Sequence, residues 1–261
     1  MKIIPKIGIA FTSIVGFDLD QDKLENFKVK FAKTVDKLEL DKVFIDFTVT
    51  GNNTAKKANE IFKRESVDLI MLVVAVWTPD LIALSIIENL DIPVIIFTTS
   101  LTPHTVSVNG AQVIASAFTE LGIDFKFIFG EIEDIKVKKK IMDYSIASAI
   151  IARLKKFRIG LIGHVPEIMI SLNVDFFAVK KYFGPTVIPI DTYTLENYVS
   201  KIIGEDKDKI DVRAEDIRRL VGKVIVEGKD LNESIAYYFA LKNIALDFDL
   251  DALAINCFPV P

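Results

Sequence analysis

A tryptophan closing an apolar run is the most chemically suggestive feature of this chain. The run Leu69–Trp77 opens into Ala75-Val-Trp-Thr-Pro-Asp80. In an α/β fold a residue at the carboxyl end of a strand faces the crevice where ligands bind. Trp77, the only tryptophan, fits two roles there. It is either core, its indole N–H then needing a partner, or a flat face on which a sugar stacks. Thr12 and Ser13 follow the first apolar run and serve either as turn formers or as hydroxyl donors at the same edge. Asn109, in Asn109-Gly-Ala-Gln112, either caps a helix or turns its amide into the cleft. Met169 is either a core filler or a pocket lining.

Other reactive residue types point less far. His104 and His164 are the only histidines, and neither has a His or Cys neighbour at metal-ligand spacing. Gly160-Leu-Ile-Gly163 lacks the third glycine of a dinucleotide fingerprint, and Val165-Pro166 stands where the helix would open; a tight turn explains it. Asp247, Asp249 and Asp251 alternate, but without the glycine and terminal glutamate of a calcium loop they describe a solvated turn. Cys257 is the single cysteine, so an internal disulfide and a cysteine zinc cluster are both excluded.

The elements that must position these residues follow from periodicity. Lys6–Phe11, Val43–Val49, Asp68–Val76, Pro93–Phe97 and Phe125–Phe129 read as strands. Between them, Asp22–Leu38, Thr54–Glu65, Asp80–Leu90 and Gln112–Leu121 read as helices, with Thr54 placed as a cap. Continuous apolar strands alternating with helices predict a parallel sheet covered on both faces. A long helix over Asp134–Lys156 follows and the pattern restarts. Arg158–Ile162, Thr186–Ile190 and Leu253–Asn256 are predicted strands; Val174–Phe183, Leu195–Lys209, Ala214–Glu227 and Leu231–Phe248 are predicted helices. The expectation is an α/β protein of two doubly wound, Rossmann-like parallel-sheet domains, 1–156 and 157–261, joined by the long helix.

Bulk properties narrow the function classes. A net charge of −4 and no basic stretch beyond Lys136–Lys140 argue against nucleic acid. The longest apolar run falls short of the ~20 residues of a membrane helix, and the amino terminus has no signal pattern, so a cytoplasmic location is expected. Only two glutamines beside abundant Lys and Glu lean towards a heat-adapted source.

In order and spacing the chain resembles the L-fucose/L-arabinose isomerase-like family. The resemblance rests on Asp68–Asp80, on Asn109-Gly-Ala-Gln112 with Gly122 and Gly130, and on Arg158-Ile-Gly-Leu-Ile-Gly163 followed by Met169. It continues through Phe183-Gly184, Ile190-Asp191 and the closing Leu250–Phe258. It implies an aldose–ketose isomerase in which a divalent metal, usually manganese, polarises the sugar carbonyl while acidic residues move the proton through an enediol. It also implies a homo-oligomer, because the first domain covers the sugar of a neighbouring subunit. By position Trp77, Asn109, Thr12 and Ser13 would make that cover, and Met169 would line the pocket from the second domain. The family's metal-holding carboxylates and histidine come from beyond Cys257-Phe258 and from a third domain; Val260 stands where a carboxylate would be wanted. The expectation is therefore the first two domains of such an enzyme, with no catalytic or metal residue in this chain, inactive unless a third domain or partner chain completes it. The alternative is a non-catalytic cytoplasmic module that clasps a small sugar.

Overall fold

The computed structural model describes residues 3–14, 21–100, 106–163, 170–221, 223–226 and 228–256. The chain forms two compact units, Met1–Ala152 and Arg153–Pro261. In the first, strands and helices alternate: β1 (Lys6–Thr12), α1 (Gln21–Val35), β2 (Asp41–Phe44), α2 (Asn52–Glu65), β3 (Leu69–Val74), α3 (Asp80–Ile87), β4 (Val94–Thr98), α4 (Ser107–Glu120) and β5 (Phe125–Phe129). The helix α5 (Ile135–Leu154) then runs across the boundary between the units. All five strands are parallel, in the order β2-β1-β3-β4-β5.

The pleat explains why these strands are apolar throughout. Ile7, Ile9, Phe11, Met71, Val73 and Phe97 point to one face and pack with Leu24, Phe27 and Phe31 of α1 and Val137 and Ile141 of α5. Their neighbours Ala10, Ile70, Leu72, Val74 and Ile96 point to the other, against α2, α3 and α4. Every residue of β3 is buried, as expected for a strand covered on both faces. The first core is rich in phenylalanine: the Phe31 ring centroid lies 5.3 Å from Phe11 and 5.3 Å from Phe97, both edge-on.

The second unit holds β6 (Arg158–Ile162), α6 (Phe176–Phe183), β7 (Thr186–Ile190), α7 (Thr192–Glu205), α8 (Lys207–Leu220), α9 (Gly228–Asp247) and β8 (Ala252–Ile255). Its sheet is also parallel, in the order β7-β6-β8. Ile162 and Ile190 form its core with Val199 and Ile202 of α7, Ile210 and Ala214 of α8, and Ile235, Ala240 and Ile244 of α9. The side chains of that core close directly over Gly160 of β6: a Cβ there would lie 2.5 Å from Leu250 Cδ1 and 2.8 Å from Leu253 Cδ2. In the edge strand β7, the Thr186 N–H donates to Phe157 O and Ile190 O accepts from Gly163 N–H. Alternation along the strand therefore turns the backbone nitrogen of Pro189 to the free side.

Several predicted boundaries move. β2 ends at Phe44, not Val49; only Val49 returns to the sheet, in a bridge to Thr12. α7 starts at Thr192 because Asp191 caps it, its carboxylate accepting from Thr194 N–H at 2.7 Å. The predicted helix Ala214–Glu227 is instead α8 at Lys207–Leu220, where Val221 turns extended. Thr54 is not the cap of α2. Gly51 holds that place, and the Thr54 hydroxyl three residues on accepts from Gly51 N–H at 3.1 Å. Among the described residues no helix is long and apolar enough to cross a membrane.

Candidate functional site

A parallel sheet of this order has its chain-direction switch between β1 and β3, where a crevice opens at the carboxyl ends. β1 delivers Thr12 and Ser13 to that edge, and the turn after β3 delivers Trp77 and Thr78. Thr12, Ser13, Thr78, Thr98, Thr99 and Ser107 are all buried hydroxyls, so this end of the sheet is polar inside. Each needs a hydrogen-bond partner to offset the loss of water. Thr12 Oγ1 lies 3.0 Å from Thr78 Oγ1, and Thr78 Oγ1 donates to Val76 O at 3.0 Å. Thr98 Oγ1 donates to Val74 O at 3.0 Å, and Ser107 Oγ to Thr99 O at 2.6 Å. Ser13 is held by its backbone, N–H to Val49 O at 3.0 Å.

Thr12, Ser13, Trp77 and Asn109 thus come to one region of the first unit. Trp77 is half-buried, so part of the residue is packed and part meets solvent. Asn109 does not cap α4. The cap position is Val106, with a left-handed φ of 41°, and Asn109 is exposed in the first turn. The next residue brings Asn109 close to Trp77. A Cβ at Gly110 would lie 2.7 Å from Thr78 N and 3.0 Å from Trp77 Cα, so the helix start and the tryptophan loop touch backbone to backbone. Met169 lies outside the described residues, as do His104, His164, Val165, Pro166 and the stretch from Cys257 onward.

Sequence reasoning missed two parts of this site. Thr78 was hidden beside the more conspicuous Trp77; its partner Thr12 is 66 residues away. Glu131, just after β5, is an exposed carboxylate that accepts from Thr99 Oγ1 at 2.9 Å. The glycine before it, Gly130, at φ 144°, was visible; what it positioned was not.

Lys6 holds the Glu65 carboxyl below its usual range, and burial, reinforced by Asp124, raises Tyr144. A hydrogen bond to Asp247 raises Tyr198. Beside α1, a hollow of about 500 Å3 is floored by Phe11, Phe44 and Phe47. The ammonium at its rim, Lys28, is engaged by Glu25 and by Thr48 Oγ1, each at 2.6 Å. Among the described residues no three His, Cys, Asp or Glu side chains gather as a metal site. The arrangement brings a half-buried indole, an exposed amide and an exposed carboxylate to one polar edge of the first sheet.

Residues 18–156 match the family model for the first N-terminal domain of L-fucose isomerase. No curated protein matches. Among solved structures, the chain is similar to a periplasmic solute-binding protein of an ABC transporter from Actinobacillus succinogenes 130z, with bound D-allose. Identity is 12%, the TM-score is 0.29, and the match covers 98% of this chain and 79% of that one. A superposition that loose carries no argument about this chain's ligand.

Proposed function

Since this chain belongs to the L-fucose isomerase family through its first N-terminal domain, we propose that it supplies the two N-terminal domains of a metal-dependent aldose–ketose isomerase in the cytoplasm. Its part is to wall and cover the sugar. The observation that carries this reading is the half-buried Trp77, held at the carboxyl edge of the sheet by a packed backbone contact with Gly110. An indole fixed there offers its face to the apolar side of a sugar ring. Asn109 and Glu131, both exposed near the same edge, offer hydrogen bonds to its hydroxyls. In a homo-oligomer this surface would close over the sugar of a neighbouring subunit.

Manganese, when bound in a complete enzyme of this kind, polarises the carbonyl and stabilises the oxyanion. In this reading the work of this chain is binding and orientation. The ion and the proton-moving carboxylates belong to a third domain or a partner chain.

Titration calorimetry of the pure chain against L-fucose, L-arabinose and related pentoses, with and without manganese, tests this. The expected result is weak sugar binding that Trp77→Ala reduces about tenfold, with no isomerisation under any condition. Robust turnover by the chain alone would refute the division of labour. Tight sugar binding indifferent to manganese and to any added domain would favour a stand-alone sugar-binding module.

A further inference from the structure

Thr78 is wholly buried, and its hydroxyl is engaged on two sides. Its geometry fixes a direction. A hydroxyl has one proton to give, and that of Thr78 goes to Val76 O at 3.0 Å. In the 3.0 Å contact between the two threonines, Thr12 must then be the donor. The result is a two-bond relay, Thr12 to Thr78 to the Val76 carbonyl. Its last link spans Trp77, because Val76 and Thr78 are the residues on either side. Its first link anchors that span to β1. On the opposite side Gly110 lets α4 press against Trp77 Cα and Thr78 N with no room for a side chain.

We infer that Thr78 is a positioning residue, which with Thr12 fixes the Trp77 backbone so that the indole is a preformed platform for a sugar ring. This rests on the sugar-site reading above and adds how the platform is held. Removing the Thr78 hydroxyl takes a partner from both Thr12 Oγ1 and Val76 O, and removing that of Thr12 cuts the tie of this span to β1; either change weakens the hold on the Trp77 backbone. Preorganisation matters because a platform that must first be ordered binds its ligand more weakly.

Trp77 is the only tryptophan, so intrinsic fluorescence reports this one position. The variants are Thr78→Val and Thr12→Val, which keep side-chain shape and remove the hydroxyl, and Thr78→Ser, which keeps it. Both valine variants should shift the emission maximum to the red and raise acrylamide quenching about twofold, as a more mobile indole does. Thr78→Ser should match the parent. The double valine variant should go little beyond either single one, since both cut the same relay. Folded valine variants, by circular dichroism, with parental emission and quenching would overturn the inference. If Thr78→Val fails to fold, Thr12→Val decides by the same readout.

Titration with L-fucose and L-arabinose separates the two levels. About tenfold weaker binding in Thr78→Val, recovered in Thr78→Ser, supports the platform role. Altered fluorescence with unchanged sugar affinity overturns that role. A parent protein that binds neither sugar defeats the sugar-site reading itself, while the fluorescence comparison still decides the relay.

Discussion

Asp191 accepts the Thr194 backbone N–H at 2.7 Å and the Thr194 hydroxyl at 3.0 Å. The backbone bond first, then the hydroxyl, holds the carboxyl below its usual 3.8. A value lowered by folding means that the unfolded chain takes up the proton more readily. The contribution is therefore complete above about 3.8 and is lost as pH falls through the lower folded value. Asp191→Asn keeps an acceptor but does not titrate. Acid-range melts followed by circular dichroism should show the variant losing stability less steeply than the parent; parallel profiles would contradict this. The predicted start at Leu195 passed over Asp191, although an Asp after a strand and before a periodic stretch is a common cap. Thr54 was misplaced by three positions, since nothing in the letters shows that the extended residue is Gly51. Thr78 was illegible for a different reason. Its role depends on Thr12, and one sequence contains no record of which hydroxyls meet.

Elements were legible where burial on both faces forces a pattern. β3 and β4 are apolar at every or nearly every position because each alternate residue meets a different helix layer. The register between elements was not legible, and it is register that makes the site. α4 and the loop after β3 meet at Gly110, whose missing side chain permits the contact. Gly110→Ala should gain up to about 1 kcal/mol of helix propensity. It should nonetheless lose about 1–3 kcal/mol overall, because the obstructing atoms are backbone and cannot rotate away. Urea denaturation measures the difference, and a more stable alanine variant would show that the loop shifts freely. α8 was predicted seven residues late. Its charged sequence carries only Ile210 and Ala214 as buried residues, too thin a stripe to fix its ends.

Across the whole molecule, two cores flank the first sheet, and one described core serves the second. Cooperative opening should follow that difference. Amides of β3, buried throughout, should exchange with deuterium only through global unfolding of their unit. Those of α6, a helix with no buried residue, should exchange fastest among the described helices. Mass-resolved exchange of peptides over 69–74 and 176–183 provides the check, and protection of α6 equal to that of β3 would reverse the ranking. The family match over residues 18–156 falls almost wholly on the better-buried first unit.

The outward nitrogen of Pro189 has a further effect on assembly. A polypeptide aligning beside β7 would find a ring carbon where it needs a donor, so that flank resists recruitment of stray strands. Extension of this sheet, whether by a foreign segment or another copy, is thereby directed to the opposite border beside Ala252–Ile255.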